Sequence, residues 1–240
     1  MKKILLACDL DNTLIHSHRH KNDGDICIEI LNDKQQSFIT PHTRELIAKL
    51  PDNITLLPVT TRSIEQYMRI QWENSPEYAL VTNGTVLLKN NTALRKEDIS
   101  EYVSEIESLR EKINSDDFLK VKFVDNMYLF AYCDENSDVK ALAEKYSAMT
   151  SLNTQYSGRK IYFFPPPADK GKAVKKFAES YNFDFIVSAG DSPIDFPMLE
   201  ISGISIVPYE ISEKIKNPNI KICPDNMIFS DFILESVLSL

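Results

Sequence analysis

The run Ile4-Leu5-Leu6-Ala7-Cys8 constrains this chain more than any other stretch. Five consecutive apolar residues read as a strand buried on both faces, and such strands belong to parallel sheets covered by helices. The run stops abruptly at Asp9. Asp11 and Thr13 follow before the chain turns apolar again at Leu14 and Ile15. Asp, Asn and Thr are also ordinary turn and cap residues, so this stretch alone reads equally well as a helix cap. In an extended chain, however, residues two apart point the same way. Asp9 and Asp11 could then share the crevice at a strand's carboxyl end, where open α/β sheets bind their ligands.

The rest of the chain supplies that sheet. "NITLLPVTT", "YALVTNG", "FDFIVSAGD" and "GISIVPY" read as further buried strands. Residues 26–39 read as a hairpin about the turn-prone Asn32-Asp33, and Pro41 opens a helix with Thr40 as its N-cap. "GKAVKKFAESY" and residues 228–240 read as helices. Between the third strand and the first of these helices the texture changes. Ile99, Val103, Ile106, Leu109 and Ile113 recur at helical spacing. "FLKVKFV" and "MYLFAYC", split by Asp125-Asn126, read as strands, as do "NTQYS" and "KIYFFP" about Gly158, with a helix near 136–149 between the pairs. This pattern predicts an antiparallel sheet with helices on one face. Pro165-Pro166-Pro167 can continue neither a helix nor a central strand and reads as a stiff linker. The expected architecture is therefore α/β. A Rossmann-like parallel-sheet core is split over 1–83 and 166–240, and an α+β unit is inserted at 84–165.

Composition narrows the function. The 240 residues carry a net charge of -8 and no basic stripe, which argues against phosphate-driven nucleic-acid binding. Cys8, Cys27, Cys133 and Cys223 have no metal-ligand or redox spacing and read as thiols in a reducing compartment. "MKKILLAC" resembles a lipoprotein signal, but its apolar stretch is far shorter than the roughly 7–15 residues such a signal needs. No run approaches the roughly 18 apolar residues of a membrane span. A cytoplasmic protein is expected.

The strand ends carry polar residues of one kind. The first gives Asp9 and Asp11, the second Thr60, Thr61 and Arg62, and "AGDSPIDF" gives Asp191 and Asp195; Lys170 lies in "DKGK" just before a helix. Four acids in one pocket repel unless a cation sits among them, and all-oxygen ligands without His or Cys point to Mg²⁺. Hydroxyl, lysine and Mg²⁺ together suit a phosphoryl group, which a free aspartate could accept.

"DLDNT", "VTTR", "DKGKA" and "GDSPIDFPML" resemble, in order, the four motifs of the haloacid dehalogenase (HAD) superfamily. The insert resembles the second, C2-type (IIB) cap of its Cof-like, sugar-phosphatase subfamily. The resemblance spans the whole chain and implies a Mg²⁺-dependent phosphatase acting on a small phosphorylated metabolite, a sugar phosphate or related phosphomonoester. It implies neither a nucleic-acid nor a membrane partner, and a monomer or weak homodimer. It makes Asp9 the nucleophile, Asp11 the general acid and then base, Thr60 a phosphoryl ligand, and Lys170 the neutralising cation. Asp191 and Asp195 would hold the metal with Asp9 and the backbone carbonyl of Asp11. Thr61, Arg62, Asn83 and Gly84 would lie at the substrate.

This chain departs from the pattern in three places. Thr61 stands where the family has glycine, Ile194 stands where asparagine is usual, and the stretch 16–39 is long enough for an enlarged flap. His16, His18 and His20 in that stretch alternate as metal ligands can, but Lys21-Asn22-Asp23-Gly24 follows at once and favours a loop. A phosphomutase of the same fold, or a binding or regulatory protein that has lost catalysis, remain as alternatives.

Overall fold

A computed structural model describes residues 2–240 of the chain. Five parallel strands form the central sheet in the order Ile220–Ile222, Ile204–Val207, Phe185–Ala189, Ile4–Cys8, Ile54–Pro58. The alternating side chains of Ile4–Cys8 enter two different clusters, which is why the run is apolar throughout. Ile4, Leu6 and Cys8 join Ile233, Leu234 and Val237 of the terminal helix Phe229–Leu238. Leu5 and Ala7 join Val174 and Phe177 of the helix Lys170–Ser180. The chain leaves Ile4–Cys8 for Ile54–Pro58 on one side and places Phe185–Ala189 on the other. The order therefore reverses at Ile4–Cys8, and a crevice opens beyond its carboxyl end.

Between the first two parallel strands lies the hairpin Ile26–Leu31 and Lys34–Ile39, joined by His16–Ser17 into a three-stranded sheet. Its turn residues Asn32 and Asp33 both have positive φ, as a two-residue hairpin turn requires. Thr40 then caps the helix Pro41–Ala48 by accepting the Thr43 N–H at 2.8 Å.

The strand Tyr78–Val81 lies beside Ile54–Pro58 through the parallel Val59–Leu80 bridge and the Thr60 N–H to Leu80 carbonyl bond at 2.8 Å, and it also pairs antiparallel with Val86–Lys89, which pairs with Thr92–Lys96. The hairpin 86–96 thus grows from a strand beside the central sheet. Its turn, Asn90-Asn91, is a left-handed pair like Asn32-Asp33, a turn signal that the sequence reading passed over. The connection at Asn83-Gly84, where a glycine would by itself permit a hinge, is closely packed. Gly84 has φ +88°, and a Cβ there would lie 2.6 Å from the Cβ of Ala173. Asn83 is buried and donates to the Ala168 carbonyl at 2.8 Å.

Residues 97–164 build the second layer. Its four antiparallel strands run Asn153–Ser157, Lys160–Phe164, Tyr128–Tyr132, Lys120–Val124. The helices Ser100–Lys112 and Val139–Ser147 pack against this sheet. Phe130 lies opposite Tyr162, and the rings of Tyr128, Tyr162 and Phe164 cluster, so these aromatics share one face. That face turns toward the crevice. The Tyr128 hydroxyl donates to the Thr61 carbonyl at 2.5 Å, and the Ile64 N–H donates to Asp125 Oδ2 at 2.7 Å. No described helix is long and apolar enough to cross a membrane. All four cysteines are free.

Candidate active site

Asp9 follows directly on the central strand, and its N–H donates to the Ala189 carbonyl of the neighbouring strand. This bond fixes the start of the loop and turns the carboxylate into the crevice, where it is 8% exposed. Lys170 reaches the same point from the first turn of its helix, which Asp169 caps by accepting the Lys172 N–H. The Lys170 Nζ lies 2.6 Å from Asp9 Oδ1 and 2.6 Å from Asp195 Oδ1. The other oxygen of Asp195 accepts from the N–H groups of Asp191 and Ser192 and from the Ser192 hydroxyl. Asp195 lies against Gly190, where a Cβ would come within 2.5 Å of the aspartate's own Cβ. Only glycine lets this turn close. Asp191 accepts from the Thr13 hydroxyl at 3.2 Å.

Asp9, Asp191 and Asp195 each offer a carboxylate oxygen within 4.8 Å of the others, the one such cluster among the described residues. Three acids face one ammonium, and the imbalance registers in the titration of Asp9 and Asp191. Burial raises the Asp9 carboxyl well above the ordinary range, with Lys170 opposing and the two neighbouring aspartates adding to it. Burial and the charge of Asp195 lift Asp191 to about 7. Lys170 loses by burial but gains more from Asp195 and Asp9, so its ammonium is held charged.

This has a consequence for stability. A carboxyl raised in the folded state contributes most below its unfolded pKa of about 3.9, and that contribution is lost as pH rises through the folded value. The metal-free protein is therefore expected to lose stability between about pH 4 and pH 7. Asp191→Asn should flatten that slope. Thermal unfolding in chelator across this range checks it, and identical slopes in parent and variant would count against the arrangement.

Asp11 lies apart from this cluster, and its side chain is 44% exposed. Its two oxygens accept from Arg62 Nε at 2.9 Å and Nη2 at 2.8 Å. Burial would raise its carboxyl, but the Arg62 guanidinium outweighs that and holds it below the usual range. Thr60 is buried, and its hydroxyl accepts the Arg62 N–H at 3.1 Å. The carbonyl of Thr61 is taken by Tyr128. Asn83 and Gly84, expected at the substrate, form a left-handed turn packed against the start of the helix Lys170–Ser180. Of the histidines, His16 pairs with Asp25 at 2.7 Å, while His18 and His20 are exposed on a single 3₁₀ turn. None joins a metal-binding group among the described residues.

Sequence reasoning missed two contributors and gave Thr13, the last residue of "DLDNT", no role, although its hydroxyl supports Asp191. Ser192 supports Asp195 through a hydroxyl that no spacing rule singles out. Glu29, 3% exposed in the hairpin, accepts from Arg62 Nη1 at 2.8 Å. The only sequence signal was a lone acid in the otherwise apolar run Ile26–Ile30.

A buried carboxylate, an ammonium, two further acids and a separate, clamped acid at one crevice are groups able to accept and release a phosphoryl group. The model of the haloacid dehalogenase-like hydrolases matches residues 100–227, more than half of the chain. No curated protein matches the sequence. Among solved structures, the sucrose-phosphatase of Synechocystis sp. PCC6803, in complex with sucrose and phosphate, is 17% identical with a TM-score of 0.70, over 100% of this chain and 98% of that one. A Thermoplasma acidophilum protein is 17% identical with a TM-score of 0.69, over 100% and 98%. A haloacid dehalogenase-like hydrolase from B. subtilis is 16% identical with a TM-score of 0.66, over 97% and 99%.

Proposed function

The chain belongs to the haloacid dehalogenase-like hydrolases, and from that premise we propose that it is a Mg²⁺-dependent phosphatase of small phosphorylated metabolites, sugar phosphates foremost. The observation that carries this reading is Lys170 bridging Asp9 and Asp195 at the carboxyl end of the central strand, with Asp191 alongside.

The donor set fits a hard divalent cation. Three carboxylates against one ammonium leave two negative charges in excess, and every ligand is oxygen. Asp9, Asp191 and Asp195, with the backbone carbonyl of Asp11, would hold Mg²⁺. When bound, it would neutralise the acids and the phosphate oxygens.

The chain's own residues divide the reaction. Asp9 attacks phosphorus, forming the aspartyl-phosphate bond as the bond to the substrate oxygen breaks. Asp11, which Arg62 holds as the carboxylate in the free site, is protonated in the complex and gives that proton to the departing oxygen. It then takes a proton from the water that attacks phosphorus and frees Asp9. Lys170 and the Thr60 hydroxyl hold the transferred oxygens throughout. Arg62 and Thr61 line the approach.

We assign 84–165 as the cap, with the hairpin 86–96 moving with the core, and 1–83 with 166–240 as the catalytic body. Because Asn83-Gly84 is packed, closure would pivot near 97–99 and at Pro165–Pro167. The aromatic face of the cap sheet, with exposed Lys160 and the unpartnered Gln155 amide oxygen beside Tyr162, suits the ring and hydroxyls of a sugar. The sucrose-phosphatase likeness supports that class.

Phosphate release from p-nitrophenyl phosphate, with and without Mg²⁺, tests the activity, and no Mg²⁺-dependent release would refute it. Lys160→Ala and Gln155→Ala should lower kcat/KM on the best sugar phosphate about tenfold or more, yet change it little on p-nitrophenyl phosphate. Equal losses on both substrates would remove the cap from specificity.

A further inference from the structure

We propose that Glu29, on the hairpin 26–39, is a positioning residue for Asp11 and acts on it through Arg62. The inference rests on the phosphatase reading, in which Asp11 protonates the departing oxygen.

The geometry runs in one direction, from hairpin to acid. Irregular register on both sides of Glu29 breaks the strand alternation, and its carboxylate is buried. Its Oε2 accepts from the Ser37 hydroxyl at 2.6 Å and from Arg62 Nη1 at 2.8 Å, and its Oε1 accepts from Arg69 Nε at 3.2 Å. Arg62 in turn has a partner for each of its five N–H groups. Nη1 also donates to the Gln66 carbonyl at 3.3 Å, Nη2 also donates to Ser37 at 3.0 Å, and the remaining two go to Asp11. The planar fork is thus fixed from behind by Glu29 and Ser37, and its front edge grips both Asp11 oxygens.

Asp11 has no other described side-chain partner than Arg62, and its side chain is half exposed. Where its carboxyl stands is therefore set by a residue two contacts away, on the segment that reads from the sequence as an enlarged flap. Proton delivery to a leaving oxygen is sensitive to such placement, and a shift of about 1 Å can cost about a hundredfold.

A leaving group that departs readily as an anion does not need that proton. This separates positioning from mere structural support. Glu29→Gln keeps the shape and removes the charge that holds the guanidinium. With phenyl phosphate, whose leaving group is the more basic, kcat/KM should fall at least about tenfold. With p-nitrophenyl phosphate it should stay within about twofold of parent, since kcat/KM reports steps only through loss of the alcohol. Glu29→Asp should recover part of the phenyl phosphate rate. Should Glu29→Gln fail to fold, Ser37→Ala removes one of the two rear contacts and should show the same split at smaller amplitude. Equal loss on both substrates, or no loss on either, would overturn the inference while leaving the phosphatase standing. A parent inactive on both would overturn the phosphatase reading and this inference with it.

Discussion

Asp9→Asn will lose turnover by more than about a thousandfold while keeping its fold, because the amide fills the same space but is no nucleophile. The surroundings favour retention of structure. The Asn Oδ1 can still accept from the Lys170 ammonium, which stands 2.6 Å from Asp9 Oδ1, and one buried negative charge is removed. Circular dichroism should be unchanged, and the melting temperature should stay within a few degrees of parent. Quenched reactions of the parent should yield protein heavier by one phosphoryl group on the peptide holding Asp9, and the variant should yield none. Turnover within tenfold of parent would reassign the nucleophile.

The second large effect falls on stability as well as rate. Lys170 is 1% exposed and is the ammonium that bridges Asp9 and Asp195. Lys170→Met leaves both carboxylates in place without their cation. Breaking a buried pair in this way costs about 3–5 kcal/mol. The low end is expected here, since Asp195 keeps two backbone N–H groups and a hydroxyl. The deficit should depend on pH. In the parent, the Lys170 pKa is raised, so its contribution is present throughout the range below the ordinary lysine value. In the variant, Asp9 loses the cation that opposes its raised pKa, so it regains stability only as pH falls through a still higher value. Urea unfolding in chelator should therefore show a gap that widens from about pH 5 to pH 8. Activity should fall alike on sugar phosphates and p-nitrophenyl phosphate. A constant gap would mean that Lys170 acts through packing rather than charge.

The central strand and the acids and lysine gathered at its end were legible because their signals are local. Ile4–Cys8 shows its double burial in five consecutive letters, and each acid or lysine follows a strand or opens a helix within a few residues of an apolar run. Thr40-Pro41 and Asn32-Asp33 carry their own conformational rules, and the structure follows them. What escaped was decided at a distance. Nothing in "YALVTNG" tells that the strand, besides lying parallel to Ile54–Pro58, also pairs with 86–89. Gly84 looks like a pivot by composition and is a wedge by packing, because the Cβ that blocks it belongs to Ala173. Glu29 and Arg62 are 33 positions apart, and no periodicity links a hairpin to a loop after a strand.

The pairing of Ile4–Cys8 with Phe185–Ala189 joins segments some 180 residues apart, and this bears on how the molecule comes into being. The three hairpins turned at Asn32-Asp33, Asn90-Asn91 and Asp125-Asn126 can close as soon as each is made, since their partners are immediate neighbours. The first strand cannot complete its own pairing until nearly four-fifths of the chain exists, and such distant closures are slow. Asp9 lies just past one side of that late seam, and Asp191 and Asp195 lie past the other. During synthesis or refolding, the acids thus meet in the closing step rather than an early one. Regain of metal affinity should then lag behind regain of strand and helix signal, and the assembled acid cluster would serve as a clock for the completed fold.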